Sequence, residues 1–178
     1  MAKPVAVGVG EPAPDFELAS STGETVRLSD FRGKSEVVLF FYPHDHSPAC
    51  TLEACAFRDS YAAFQKAGAE VIGISADSAD SHRRFAARFR LPFRLLSDGD
   101  GAVRARYGVP RTLGLLPGRV TYLIDREGVV RHIFSSQFRP MKHVSEALDV
   151  LGPIVRVRSS CDPRTLGQVP AGLEGRPP

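Results

Sequence analysis

The sequence predicts an α/β fold: a three-layer sandwich in which helices flank a central mixed sheet, preceded by an N-terminal β-hairpin. Three observations carry this. Short, apolar, β-prone runs recur at residues 37–42, 71–75 and 120–124, the pattern of strands covered on both faces. Between them the apolar period lengthens to that of amphipathic helices. The chain has 178 residues and 43% hydrophobic content, which suits one domain with a sizeable core.

The elements follow in order. Phe16 and Leu18 alternate with polar residues, as do Val26 and Leu28, and Ser21-Thr22-Gly23 lies between them. This spacing predicts the hairpin. Residues 37–42 form a buried central strand that Pro43 ends. A loop, 44–49, leads to Cys50. Phe57, Tyr61 and Phe64 then fall at i, i+4 and i+7, predicting one helix over about 51–66, with Gly68 as its stop. Residues 71–75 form a second strand. Phe85 and Phe89 mark a second helix, with caps among Ser78 to Ser81. A short strand over 93–97, a short helix over 101–107 and a strand over 120–124 follow. The turn 125–128 leads into a paired strand over 129–134, and 141–151 forms the last helix. Residues 1–152 read as one domain, with an irregular lead-in over 1–14 and no internal repeat or linker inside 10–151. Residues 153–178, rich in Pro, Gly and Arg, read as a mobile tail.

The charge is ordinary: 23 basic against 20 acidic side chains, net +3. That balance argues against nucleic acid or an anionic membrane as partner. No apolar run reaches the length of a membrane-spanning helix. The first eight residues carry one charged side chain and no apolar core, so they do not read as a secretory signal. The expected location is cytoplasmic.

Three cysteines, Cys50, Cys55 and Cys161, do not make a disulfide scaffold. Cys50 follows a strand and a Pro-containing loop and opens a helix. Backbone N–H groups there are unpaired and partly positive, so a thiolate is stabilised, and the thiolate is the nucleophile. Elsewhere a lone cysteine is a small buried hydrophobe; the junction with Ser47 and Pro48 favours the nucleophile. Cys55 stands five residues on. In an ideal helix that spacing separates the Cα atoms by about 8.7 Å and turns them by about 140°, whereas a disulfide needs less than about 7 Å. Either Cys55 packs on an apolar face, or the first turns unwind for it to pair. Cys161, in the tail, reads as a spare thiol, with a second resolving or intermolecular role as the alternative. His44 and His46 flank Asp45 but lack a zinc-ligand spacing, so no metal is expected. His82, His132 and His143 stand alone and read as surface or helix residues.

These residues resemble the peroxiredoxins. Pro43-x-x-x-Ser47-x-x-Cys50 matches their active-site pattern, Pro-x-x-x-Thr/Ser-x-x-Cys. The wider run from Phe41-Tyr42-Pro43 through Cys50-Thr51 to Ala54-Cys55-Ala56-Phe57-Arg58-Asp59 is similar to the peroxiredoxin Q, or bacterioferritin comigratory protein, subfamily. So are Gly73-Ile74-Ser75, Leu95-Leu96-Ser97-Asp98, Tyr107-Gly108-Val109 and Leu116-Pro117-Gly118-Arg119 with the strand after it. The Leu-Pro-Gly-Arg stretch, with Ser136-Gln137-Phe138-Arg139-Pro140, is most like the cyanobacterial and plastid branch. The resemblance covers about residues 9–151. Ala49 stands where Gly is common, Ser47 replaces the commoner Thr, and His44 takes a place often held by Lys.

The resemblance implies a thioredoxin-like fold and reduction of hydrogen peroxide and organic hydroperoxides without a cofactor. It makes Cys50 the peroxidatic thiol and Cys55 the resolving thiol of an intramolecular disulfide. Ser47 holds peroxide and thiolate, Pro43 shields the pocket, and Arg119 stabilises the thiolate and polarises the peroxide. Thioredoxin or a similar dithiol is the implied reductant, and the chain is expected to act as a monomer. Two other readings stand beside it. One is a thioredoxin-like disulfide oxidoreductase, although that class carries Cys-x2-Cys and this pair is Cys-x4-Cys. The other is a non-enzymatic redox or metal-sensing module built on His44, His46, Cys50 and Cys55.

Overall fold

The central strand, β3 (Glu36–Phe41), alternates its side chains between two cores. Val37, Leu39 and Phe41 enter one, and Val38, Phe40 and the following Tyr42 enter the other. A strand buried on both faces has no polar side, which is why its sequence is continuously apolar. The computed structural model describes residues 6–112 and 116–152. The expected C-terminal tail, with Cys161, lies outside the described residues.

Two short strands, β1 (Glu17–Ala19) and β2 (Thr25–Arg27), pair antiparallel as the expected N-terminal hairpin. A single 3-10 turn, Leu28–Phe31, follows. After β3 come α1 (Pro48–Asp59), α2 (Tyr61–Lys66), β4 (Ala69–Ser75), α3 (Ala79–Phe89), β5 (Arg94–Ser97) and α4 (Ala102–Arg106). A two-residue-per-strand hairpin, β6 (Arg111–Thr112) and β7 (Leu116–Pro117), precedes β8 (Val120–Ile124), β9 (Val130–Ser135) and α5 (Pro140–Leu151). The main sheet has the order β5-β4-β3-β8-β9. β3, β4 and β5 are parallel, and β8 and β9 add antiparallel. Side chains of α1, α2, α3 and α5 fill the core on one face. The hairpin, Val103 of α4 and Tyr107 fill the other. This is the mixed three-layer, thioredoxin-like sandwich that the pattern and the resemblance implied.

Two sequence expectations change. The single helix over 51–66 is two helices: it begins earlier, at Pro48, and breaks at Ser60, whose φ of −98° and ψ of 1° leave the helical region. Phe57, Tyr61 and Phe64 keep a helical spacing across the break, so the apolar period hides it. The β6–β7 hairpin was not foreseen, because two-residue strands carry no period.

One glycine is required by packing. A Cβ on Gly73 would come within 2.7 Å of the Phe40 ring, so β4 stays bare there. Phe40 can then stack on Phe57, with 4.5 Å between ring centres. That contact seats α1 on the sheet and brings the start of the helix to the C-terminal end of β3. No helix among the described residues is long and apolar enough to cross a membrane.

Candidate active site

The start of α1 is built by three residues within one turn, Ser47, Pro48 and Cys50. Ser47 is the N-cap, extended at φ −68° and ψ 143°, and its Oγ accepts from the backbone N–H of Cys50 at 3.4 Å. Pro48 occupies the first helical position, where its missing N–H costs nothing. Cys50 therefore falls in the first turn, buried to 1% exposure, at the positive end of the helix dipole. Ser47 accepts with an oxygen lone pair, so its own hydroxyl proton remains available to donate.

Arg119, just before β8, comes to the same place. Its Nη2 lies 3.2 Å from Cys50 Sγ. Its Nη1 donates a hydrogen bond to Glu53 Oε2. All three side chains are buried. Arg119 Nε has no hydrogen-bond partner, which leaves a buried donor beside the thiol. The preceding Gly118 has no room for a side chain: a Cβ there would run into the carbonyl oxygen of Pro110. Arg104 of α4 ties this segment to the end of β3. Its Nη1 donates to the carbonyl of Gly118 and its Nη2 to that of Tyr42, each at 2.8 Å. Asp98 in turn caps α4 by accepting from the N–H groups of Val103 and Arg104.

Glu53 sits one helical turn after Cys50. Burial pushes its carboxyl up to about 8, against the opposing pull of Arg119. Its second oxygen, Oε1, has no hydrogen-bond partner and lies 3.7 Å from Nδ1 of His143 in α5. His143 is fully buried. Its Nε2 donates to the carbonyl of Ser136 at 2.9 Å, and its Nδ1 lies 2.8 Å from Thr121 Oγ1. Burial above all, and then the charge of Arg119, push His143 down to about 4.

The loop between β3 and α1 is pinned by a second buried network. Asp45 accepts from Tyr42 Oη at 2.8 Å and Ser81 Oγ at 2.8 Å, and lies 2.9 Å from His82 Nδ1. His82 Nε2 faces the carbonyl of Leu96 at 3.1 Å. Burial opposes ionisation of Asp45. The hydrogen bonds and charge of His82, with Ser81 and Tyr42, outweigh it and hold the carboxyl below the usual carboxylate range. The Asp45 backbone N–H donates to Asp77. Pro43 is buried within this braced segment.

Cys55 is buried to 1% exposure. Both it and Cys50 lie within the intact α1, and they are not joined in a disulfide. His44 and His46 diverge: His44 lies 3.9 Å from Asp77, and the His46 ring packs against Phe85. Among the described residues there is no group of three or more His, Cys, Asp or Glu that could hold a metal.

Pro43, Ser47, Cys50 and Cys55 thus share one loop and helix, and Arg119 joins them from 69 residues away. Glu53, Arg104 and the Tyr42–Asp45–His82 network were missed by the sequence reading. His82 and His143 lie on α3 and α5, so the helix half of the expectation holds, but both are fully buried. A signal for Glu53 existed: it is the one acidic residue among the first eleven of α1, and at i+3 it shares a face with Cys50. Arg104 and the histidines carry no such mark.

The AhpC/TSA family model matches residues 9–133. The chain is 55% identical over 146 residues to a chloroplastic peroxiredoxin Q of Triticum aestivum, covering 82% of this chain and 67% of that protein. It resembles the crystal structure of peroxidoxin BcpB from Mycobacterium tuberculosis with a TM-score of 0.75 and 40% identity, covering 82% of this chain and 96% of that one. It also resembles the bacterioferritin comigratory protein of Xanthomonas campestris, solved as trapped intermediate and ligand complexes bearing on its alkyl peroxide reduction activity. There the TM-score is 0.70 and the identity 31%, over 76% of this chain and 89% of that one.

Proposed function

This chain belongs to the AhpC/TSA family, as a thiol-dependent peroxidase of the peroxiredoxin Q kind, and from that premise we propose which of its atoms do the work. Cys50 is the peroxidatic thiol. The observation that carries this is the Arg119 guanidinium at 3.2 Å from Cys50 Sγ, on a buried thiol in the first turn of a helix. A fixed positive charge in a water-poor site stabilises a thiolate, and it stabilises the negative oxygen that develops as a peroxide bond breaks.

In the first step the Cys50 thiolate attacks the terminal oxygen of a hydroperoxide. The S–O bond forms as the O–O bond breaks, the leaving oxygen takes a proton as water or alcohol, and Cys50 becomes a sulfenic acid. Ser47 Oγ and the unpartnered Arg119 Nε are the donors that can hold the two peroxide oxygens. Pro43 shields the pocket. In the second step the Cys55 thiolate attacks Cys50 sulfur and displaces hydroxide, which leaves as water once protonated. An external dithiol, thioredoxin or a protein like it, reopens the disulfide by exchange. The chain works as a monomer in the cytoplasm; sedimentation and cell fractionation test those two points.

The deciding experiment follows peroxide in the presence of the purified protein and a thioredoxin system. Hydrogen peroxide and an alkyl hydroperoxide should both be consumed catalytically, with no metal added. Consumption no faster than with the thioredoxin system alone would overturn the reading. Turnover of protein disulfides without peroxide consumption would favour the disulfide oxidoreductase instead.

A further inference from the structure

Arg119 faces two groups at once, Glu53 and Cys50, and the charge it offers the thiol depends on what Glu53 carries. An ionised Glu53 would neutralise the guanidinium from one side. The surroundings of Glu53 argue against that state. Oε2 is matched by Arg119 Nη1. Oε1 is buried without a donor, and the group it faces is the wrong kind for a carboxylate. His143 gives its Nε2 proton to the Ser136 carbonyl, 2.9 Å away. In a neutral ring Nδ1 is then a lone pair, and Thr121 Oγ1 lies against it at 2.8 Å. A carboxylate oxygen turned toward that lone pair, 3.7 Å away, gains no hydrogen bond and loses its hydration. The Thr121 hydroxyl fills that lone pair as donor, and a neutral carboxylic acid oxygen in the same place carries no charge whose lost hydration must be replaced.

We infer that Glu53 is held as a neutral carboxylic acid, its proton on the Oε1 that faces His143, so that Arg119 keeps its positive charge for Cys50. His143 is then a positioning residue: it touches neither thiol nor peroxide, and acts through Glu53 and Arg119. The burial shifts agree in direction, raising Glu53 and lowering His143. The charged neighbours are few. Glu53 meets Arg119 from the segment before β8 and His143 from α5. His143 also feels Glu146 on its own helix. Glu146 is engaged with His132 of β9 at 3.3 Å and with Lys142 at 3.7 Å. This inference rests on Cys50 being the reacting thiol only for its consequence, not for the protonation state itself.

Two measurements test it on the reduced full-length protein. The first needs no peroxide. Side-chain 13Cδ glutamate NMR, with Glu53→Gln for assignment, should show Glu53 as an acid at neutral pH, ionising near pH 8. His143→Leu should shift that signal by changing the acid's neighbour. A Glu53 signal that stays carboxylate-like from about pH 5 upward overturns the inference. If Glu53→Gln does not fold, the one glutamate that titrates far above the rest still decides it in the wild type. The second follows the rate of Cys50 oxidation against pH. It should fall about tenfold as Glu53 ionises and screens Arg119, part of the roughly 10²-fold that a positioned charge is worth. This alkaline fall should vanish in Glu53→Gln. An identical fall in the variant overturns the link to Cys50. A failure of peroxide chemistry leaves the NMR result standing, so the two readings fail separately.

Discussion

Arg119 Nη2 lies 3.2 Å from Cys50 Sγ, the end of β8's lead-in meeting the first turn of α1. The contact exists because β3 and β8 are neighbours in the sheet, with Phe41 opposite Val120. Cys50 follows the C-terminal end of β3, and Arg119 precedes β8. Antiparallel pairing brings those two ends together.

Cys50 is the proposed attacking thiol, so Cys50→Ser should abolish peroxide turnover, with the far-UV spectrum unchanged. Cys55→Ser should still form the Cys50 sulfenic acid in a single turnover, trapped by dimedone, and lose sustained turnover. Near-normal cycling by Cys50→Ser would remove it as the nucleophile.

Arg119→Met should slow Cys50 oxidation on the order of 10²-fold, as loss of a positioned charge stabiliser does. It also strands Glu53. Removing one partner of a buried pair costs about 3–5 kcal/mol when the other stays charged; here the cost is smaller, because Glu53 is held as an acid. The double variant Arg119→Met/Glu53→Gln separates the roles. Urea unfolding at neutral pH should show little further gain over Arg119→Met, because Glu53 is already neutral, while stopped-flow oxidation stays slow. Recovery of the rate in the double variant would argue that Arg119 acts structurally.

Arg104 joins the carbonyls of Gly118 and Tyr42, one on each side of the site. Arg104→Met should loosen the approach of Arg119 to Cys50 and slow oxidation about tenfold, within the range that misplacement of a catalytic group produces. Methionine keeps most of the stem's packing. A wild-type oxidation rate in this variant would show that β3 and β8 hold the geometry alone.

The proposed Cys50–Cys55 disulfide requires α1 to open. Both ends of the helix are held elsewhere: Asp45 fixes the loop before it, and Arg58 donates to the Phe89 carbonyl at 2.8 Å near its end. On oxidation, amide-exchange protection should fall over residues 48–57 and persist in α2 and α3. Peptide mapping after one equivalent of peroxide should find Cys50 joined to Cys55. A Cys50–Cys161 product, or equal protection in both redox states, would count against this.

The pH dependence of stability has a definite sign. Folded Glu53 ionises near 8 against an ordinary 4.5, so its contribution is present below about 4.5 and is lost as pH rises through 8. Folded His143 titrates near 4 against an ordinary 6.5, so its contribution is present above 6.5 and is lost as pH falls through 4. The two oppose each other between 4.5 and 6.5. From 6.5 to 8 Glu53 acts alone, and at roughly 1.4 kcal/mol per unit the loss is about 2 kcal/mol. Urea unfolding at both ends of that window should show it in the wild type and far less in Glu53→Gln.

Much of this protein is local, and local features are legible in a sequence. The apolar run of β3, the Ser47-Pro48 start of α1, and the placement of Cys50 and Cys55 on one helix follow from residue type and spacing over a dozen positions. The resemblance added Arg119, which no periodicity marks. What the sequence alone could not decide is which polar residues are buried and against what. Glu53, His82 and His143 look like ordinary helix residues until β8, α5 and β5 close over them. Their partners come from other elements: Arg119 for Glu53, Thr121 for His143, and Asp45 and Leu96 for His82. Burial removes water as the alternative partner, so the protonation states of Glu53 and His143 are set by geometry that only the folded chain supplies.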